Sequence, residues 1–154
     1  MKIYDGAYVV KGRKNKEAIV GDIYFGTFIG CPTELGERVH ISANCSFVGQ
    51  GKLIIEDEVT ISPGVVIYTS SPDFVNGSTG NKYIEGFKIE VADVRIKKGA
   101  FIGANSVIHQ GVTIGENAII GACSFVNSDV PAGQIWVGRP ARMLIKNRNQ
   151  NENY

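Results

Sequence analysis

Bulky apolar residues recur at every sixth position along most of this 154-residue chain. The period runs unbroken from residue 96 to 126, and it holds from residue 23 to 67 with one two-residue slip at "GQGK". The fourteen periodic positions are Ile23, Ile29, Leu35, Ile41, Phe47, Ile55, Ile61, Ile67, Ile96, Ile102, Ile108, Ile114, Ile120 and Val126. A helix repeats at 3.6 residues and an amphipathic strand at two, so neither produces this spacing.

A unit of six residues suits one short strand followed by one corner. Three such units close a triangular turn whose aliphatic side chains point inward, and successive turns stack through parallel sheets. The sequence therefore predicts an all-β chain, a parallel β-helix of about five turns. As one domain over 1–154, it divides into a leading segment (1–22), turns (23–67 and 96–130), an excursion loop (68–95), and a C-terminal segment with a tail (131–154).

Two segments depart from the period. Residues 68–95 interrupt it, and a loop of this length is normally functional or disordered, so we expect it to form one wall of a cleft. After residue 130 the period ends, and Pro140 near a first helical turn predicts a short C-terminal helix that extends to about Lys146.

Composition excludes several classes of function. The formal net charge is +1, which gives no electrostatic reason to expect nucleic acid or an anionic membrane as a partner. No apolar run approaches the ~18 residues of a membrane span. Three isolated cysteines and the lack of a signal-peptide core predict a reducing cytoplasm. Because the two histidines stand alone, we expect no metal site.

The stretch "IGACSFVNSDVPAGQIWVGRPAR", together with the hexads before it, resembles the hexapeptide-repeat acetyltransferases. The sugar O-acetyltransferases of the galactoside, maltose and capsular-polysaccharide types are the most similar. The resemblance covers roughly residues 20–146, and it implies a left-handed helix and a homotrimer. It also implies transfer from acetyl-CoA to a sugar or nucleotide-linked sugar in a cleft between subunits, as part of polysaccharide biosynthesis.

The same resemblance implies which residues hold acetyl-CoA. Small side chains would line the channel for the pantetheine arm, polar ones would contact the cofactor further along, and basic ones would meet its phosphates. In that order they are Ala104 and Ala122, then Asn127 and Ser128, then Arg142 with Arg139 and Lys146.

Acetyl transfer to a hydroxyl requires a base, and histidine suits that role near neutral pH. In the family a histidine stands at the start of the excursion, but the aligned residue here is Pro72, which cannot transfer a proton. Counting hexads across the excursion stacks Ile108 on Ile67 and so places His109 beside Tyr68. We therefore predict His109 as the catalytic base.

Two other interpretations remain open. An amine acceptor can lose its proton to water, so the chain would be an N-acetyltransferase on an amino sugar without a histidine base. A chain that keeps the fold and the cofactor half without catalysis would be a binding module. For either enzyme, Ser70, Ser71 and Asp73 are predicted to contact the sugar, and Asn44 is predicted to face the same cleft.

Overall fold

The computed structural model describes residues 2–3, 8–9, 22–73 and 85–146, and this part of the chain is built from strands and corners with no helix. The strands are β1 (Lys2–Ile3), β2 (Tyr8–Val9), β3 (Asp22–Ile23), β4 (Phe28–Ile29), β5 (Thr33–Leu35), β6 (His40–Ile41), β7 (Ser46–Val48), β8 (Leu53–Ile55), β9 (Thr60–Ile61), β10 (Val66–Tyr68), β11 (Ser70–Pro72), β12 (Ile89–Val91), β13 (Val94–Ile96), β14 (Phe101–Ile102), β15 (Val107–Ile108), β16 (Thr113–Ile114), β17 (Ile119–Ile120), β18 (Phe125–Val126), β19 (Gln134–Gly138) and β20 (Ala141–Lys146).

Three sheets form the sides of a triangular coil. Sheet 1 has the order β1-β3-β6-β9-β14-β17-β19-β20, sheet 2 has β18-β15-β10-β7-β4-β2, and sheet 3 has β16-β13-β8-β5. The chain visits sheets 1, 2 and 3 in rotation, and neighbouring strands are parallel except for β19 and β20. The predicted left-handed parallel β-helix of about five turns is confirmed.

The periodic residues fill the axis of the coil. Thirteen of the fourteen are buried, and Leu35 is partly buried against them. Ile55 pairs with Ile96, and Ile67 pairs with Ile108, so each inward side chain lies directly on the one in the next turn. At about 1.5–3 kcal/mol for each fully buried aliphatic side chain, this stack is the main favourable term in folding.

The slip at "GQGK" is a widened corner between β7 and β8. Gly49 has φ 127°, a left-handed conformation that side chains disfavour. A Cβ at this position would lie 2.4 Å from Thr69 Oγ1 and 2.7 Å from the Ser70 nitrogen. The corner therefore requires glycine, and the two extra residues reset the phase without breaking the stack.

Buried hydroxyl groups tie together the corners between sheets 1 and 2. The Ser124 hydroxyl donates to the Gly121 carbonyl at 2.7 Å and accepts from the Gly138 nitrogen at 3.1 Å. Ser106 in the preceding turn donates to the same carbonyl at 3.0 Å. Ser124 thereby links the last corner of the coil to the end of β19.

We expect Ser124→Ala to lower the free energy of unfolding by about 1–3 kcal/mol, because it removes both hydrogen bonds of the buried Ser124 hydroxyl, the one to the Gly121 carbonyl and the one from the Gly138 N–H. Chemical denaturation measures the loss. Ser62→Ala is the matched control, since the half-buried Ser62 hydroxyl makes none of the described hydrogen bonds. Equal losses from the two substitutions would refute this role.

The predicted C-terminal helix is wrong. β19 and β20 form an antiparallel hairpin instead, with Gly138 in a left-handed conformation at the turn. A helix of about seven residues is unstable alone, whereas strand pairing satisfies the backbone of the segment and lets Trp136 pack against the end of the core. Residues 147–154 lie outside the described residues.

The leading segment contributes strands to two of the sheets. Lys2–Ile3 pairs with Asp22–Ile23, and Tyr8–Val9 pairs with Phe28–Ile29, both in parallel register. These residues add a strand to sheet 1 and a strand to sheet 2. The remainder of residues 1–21 lies outside the described residues.

Candidate functional site

The excursion leaves and re-enters the coil at one corner, between sheets 2 and 3. β10 ends at Tyr68, and β13 begins at Val94, so the excursion spans 69–93, slightly less than the predicted 68–95. Its two ends pair antiparallel as β11 and β12, which we call the excursion root. Residues 74–84, at the far end of the loop, lie outside the described residues.

His109 lies beneath the excursion root, at the corner that follows β15. The register pairs Ile67 with Ile108, and the rings of Tyr68 and His109 meet edge to face with centroids 5.0 Å apart. Phe125, in the next turn, lies 6.1 Å from the imidazole on centroids. The predicted stacking of His109 beside Tyr68 is therefore confirmed, and two aromatic rings fix the orientation of the half-buried imidazole.

A hydrogen bond selects the tautomer of His109. Its Nδ1 lies 3.0 Å from the backbone carbonyl oxygen of Gln110. Because a carbonyl oxygen only accepts, Nδ1 carries the proton in this contact, and the neutral ring keeps its lone pair on Nε2. A base at this corner would thus act through Nε2.

Tyr68 contributes an aromatic ring to this corner but does not act as a base. Burial raises the pKa of the Tyr68 hydroxyl above its ordinary value. The phenol therefore stays protonated throughout the neutral range, and it cannot serve as a general base there. His109 Nε2 therefore remains the candidate base at this corner.

Gln110 is a site residue that the sequence reasoning missed. Its amide nitrogen donates to the Ser71 hydroxyl at 2.8 Å and lies 3.4 Å from a carboxylate oxygen of Glu90. Ser71 and Glu90 face each other across β11 and β12. The only signal in the sequence was a long polar side chain directly after the candidate base.

Several predicted residues gather with His109 at the corner between sheets 2 and 3. The Ser70 hydroxyl accepts from the Gln50 backbone nitrogen at 3.2 Å, and Asp73 continues the excursion root by donating its N–H to Lys88 O at 3.0 Å. Asn127 and Ser128 are exposed one turn beyond His109. The predicted sugar contacts Ser70, Ser71 and Asp73 therefore share one corner with the predicted base.

Other predicted residues lie at the opposite end of sheet 2, at the corner between sheets 1 and 2. Cys123 N donates to Ala104 O at 2.8 Å, which places Ala104 and Ala122 in consecutive turns. Arg139 Nε donates to the Cys123 carbonyl at 2.7 Å, so its guanidinium is anchored there too. Asn44 occupies this corner in a left-handed conformation with φ 59°, and within one chain it does not join Ser71.

The last two predicted cations belong to β20. Arg142 is exposed, and its Nη1 donates to the carbonyl of Ala141 at 2.7 Å. Lys146 pairs with Gln134 at the open end of the hairpin. Within one chain, the candidate base lies at the corner where the strands of sheet 2 end. The candidate cofactor residues Ala104, Ala122 and Arg139 lie at the corner where those strands begin.

No cluster of three or more histidine, cysteine, aspartate or glutamate side chains within the described ranges is arranged to hold a metal ion. The same residues include no helix long and apolar enough to cross a bilayer.

A known family matches the turns of the coil that follow the excursion. Residues 93–128 match the bacterial transferase hexapeptide family (six repeats). This range begins where the chain leaves the excursion and ends in the corner after β18. It contains His109, Gln110, Ala104 and Ala122.

Two curated relatives from Escherichia coli illustrate the range of acceptors. The galactoside O-acetyltransferase of strain K12 is 27% identical over 132 residues, which are 86% of this chain and 62% of the relative. A dTDP-4-amino-4,6-dideoxy-D-glucose acyltransferase is 33% identical over 113 residues, which are 72% of this chain and 59% of the relative. The chain thus spans about three fifths of the length of these relatives.

Solved structures with coenzyme A derivatives share the fold. AntD, an N-acyltransferase from Bacillus cereus in complex with dTDP and 3-hydroxybutyryl-CoA, has a TM-score of 0.79 at 25% identity, covering 96% of this chain and 77% of AntD. A hexapeptide-repeat-containing acetyltransferase from Vibrio cholerae O1 biovar eltor, complexed with acetyl-CoA, has a TM-score of 0.69 at 28% identity, covering 81% and 73%. The present chain thus shares the fold of these enzymes, and its residues 93–128 match the hexapeptide-repeat transferase family.

Proposed function

We propose that the protein transfers an acetyl group from acetyl-CoA to a sugar or nucleotide-linked sugar. The observation that carries this proposal is His109, oriented by two rings and by the Gln110 carbonyl, with its Nε2 lone pair free beneath the excursion root. Support comes from relatives that are sugar acyltransferases and from neighbours complexed with CoA derivatives.

The transfer itself needs one base and no covalent enzyme intermediate. His109 Nε2 takes the proton from the acceptor hydroxyl as its oxygen attacks the thioester carbon. A carbon–oxygen bond forms, the carbon–sulfur bond breaks, and CoA leaves as a thiolate that takes up the proton from the imidazolium. The thioester supplies the driving force, so no other co-reactant is required.

The corner between sheets 1 and 2 fits the long arm of acetyl-CoA. Ala104 is half-buried and Ala122 is exposed, so a thin ligand can lie against the coil at both turns. A Cβ at the neighbouring Gly103 would lie 2.5 Å from Ala122 N, which shows how closely consecutive turns pack here. Arg139 and Arg142, both exposed, provide positive charge for the phosphates.

The outer faces of the three sheets favour a trimer. Sheet 1 presents Phe101, which is 40% exposed, in one outward column with Ile119 and Ile135, and sheet 2 presents Phe28, which is also 40% exposed. Sheet 3 presents charged side chains such as Glu34 and Arg95. Packing of these outward apolar side chains between neighbouring copies would therefore bury apolar area around a threefold axis, and we expect sedimentation velocity to give one trimeric species.

An amino sugar is the second candidate acceptor. Pro72 stands in β11 without a proton to transfer, and the Glu90 carboxylate beside Ser71 suits an ammonium group. A neutral amine is a better nucleophile than a hydroxyl, so N-acetylation would depend less on His109. The E. coli relative named for an amino sugar supports this alternative.

CoA release with a panel of nucleotide-linked sugars tests the proposed function. The panel contains each sugar as its amino form and as its hydroxyl form. We expect acceptor-dependent release of CoA with at least one member of the panel. Tight acetyl-CoA binding with no turnover on any acceptor would refute the enzyme and leave a binding module.

Two substitutions separate the ring of Tyr68 from its hydroxyl. We expect Tyr68→Phe to keep kcat/KM within about threefold, because the phenol remains protonated and does not transfer protons. Tyr68→Leu removes the edge-to-face contact that orients His109, and we expect it to lower kcat/KM by about tenfold or more. Steady-state kinetics on both variants would refute this role if Phe and Leu behave alike.

A further inference from the structure

Gln110 connects the body of the coil to both strands of the excursion root. We propose that it is a positioning residue that fixes Ser71 and Glu90 as the hydrogen-bonding pair presented to the acceptor. This inference rests on the proposed acetyl transfer and extends it to a side chain that touches neither reacting group. It assigns the two hydrogen bonds that hold the sugar: the Ser71 hydroxyl donates to it, and the Glu90 carboxylate accepts from it.

The burial of Gln110 is unusual in this fold. Only 6% of the residue is exposed, and the other buried polar residues of the described chain carry small hydroxyl groups. They are Thr27, Thr69, Ser106 and Ser124. Burying a long amide costs desolvation unless its polar atoms find partners, so the contacts of Gln110 show what its burial achieves.

The amide nitrogen bonds to one residue on each strand of the excursion root. It donates to Ser71 Oγ at 2.8 Å on β11 and lies 3.4 Å from Glu90 Oε2 on β12. Ser71 and Glu90 are direct partners in the antiparallel register. The side-chain amide of Gln110 therefore fixes the position of both strands relative to His109. The backbone carbonyl of the same residue orients the His109 ring.

The side-chain oxygen of Gln110, Oε1, has no hydrogen-bond partner among the described residues, although it is buried. An unpaired buried acceptor reduces stability, and an apolar side chain of equal length would avoid that cost. Folding alone does not account for glutamine here, whereas orientation of Ser71 does. Because Ser71 Oγ accepts from Gln110, its own proton is directed elsewhere and can be donated to the acceptor.

Gln110→Met tests this role, because methionine keeps the length and removes the amide. We expect the acceptor KM to rise about tenfold, the acetyl-CoA KM to stay within about twofold, and the melting temperature to be unchanged or higher. Gln50→Met is the matched control, since Gln50 is exposed two turns earlier at the same corner and its side-chain amide makes none of the described hydrogen bonds. A merely structural role would lower the melting temperature without raising the acceptor KM.

A double-mutant cycle with Ser71→Ala identifies the route of the effect. Because Gln110 acts through Ser71, we expect the double variant to bind the acceptor no worse than Gln110→Met alone, within about twofold. Ser71→Ala alone removes both this hydrogen bond and the proposed contact to the sugar, so its acceptor KM gives the largest rise that loss of the link through Ser71 can cause. If Gln110→Met fails to fold, Gln110→Leu, which also removes the amide, takes its place in the cycle.

The outcomes separate this inference from the proposed function. An unchanged acceptor KM in Gln110→Met, or effects that multiply in the double variant, would overturn the role of Gln110 while acetyl transfer stands. A wild-type protein that turns over no acceptor refutes acetyl transfer and the inference together.

Discussion

His109→Ala is expected to lower kcat/KM for a hydroxyl acceptor by about 10²- to 10⁴-fold, which corresponds to about 3–5 kcal/mol of transition-state stabilisation. The loss follows from removing the Nε2 lone pair that the Gln110 carbonyl and two aromatic rings hold in place. Steady-state kinetics with a saturating concentration of acetyl-CoA measures it. The fall should appear mainly in kcat, because the alanine variant retains Ser71 and Glu90 for binding.

His40→Ala is the control for this substitution. His40 lies on the outer face of sheet 1, where its Nε2 is 3.1 Å from Ser42 Oγ and its ring packs 5.2 Å from Tyr24. We expect kcat/KM to stay within about twofold of wild type and the oligomeric state to match that of wild type. If His109→Ala also stays within about twofold, less than ~0.5 kcal/mol is lost, and the assignment of the base is wrong.

Ile55→Ala is expected to lower the free energy of unfolding by about 2–5 kcal/mol. Ile55 is 1% exposed and lies in the inward stack between Leu35 and Ile96. Truncation loses buried apolar area and leaves a cavity that the rigid stack above and below it cannot close. Chemical denaturation at fixed protein concentration measures the effect.

Ile54→Ala provides a matched control on the same strand. Ile54 points outward from sheet 3 and is half-buried, and its neighbours in register are Glu34 and Arg95. We expect a loss of less than about 1 kcal/mol, since part of its surface already meets water. Equal losses at Ile54 and Ile55 would contradict the six-residue inward period.

The fold and the position of His109 follow from the sequence for one physical reason. The period of six fixes which side chain is inward, and three units per turn fix which inward residues stack. Counting hexads is therefore enough to pair Ile67 with Ile108, and that pairing places His109 beside Tyr68. No comparable rule exists once the period stops.

The parts that the sequence does not predict lie where the period gives no register. Gln110 meets Glu90 only because the two ends of the excursion pair antiparallel, and no local pattern in "KIEVAD" predicts that pairing. The segment from Pro140 to Lys146 shows a helix-start signal but neither a clear helical nor a clear strand period, because Met143, Leu144 and Ile145 are consecutive apolar residues. Tertiary pairing with β19 decides in favour of the strand.

Within one chain, the candidate base is separated from the residues predicted to hold acetyl-CoA. His109 and the small-residue wall of Ala104 and Ala122 lie at opposite ends of sheet 2. We propose that they meet across the interface between copies, so that each active site takes His109 from one subunit and the acetyl-CoA wall from its neighbour.

Complementation between two inactive variants tests this claim most directly. His109→Ala removes the base, and Ala122→Trp blocks the cofactor wall at an exposed position that leaves the coil unchanged. The two are unfolded together, refolded as mixed trimers, and assayed for CoA release. A site shared between subunits predicts recovery of activity at about one quarter of the sites in a 1:1 mixture. Mixed trimers that are no more active than the two separate variants would contradict it.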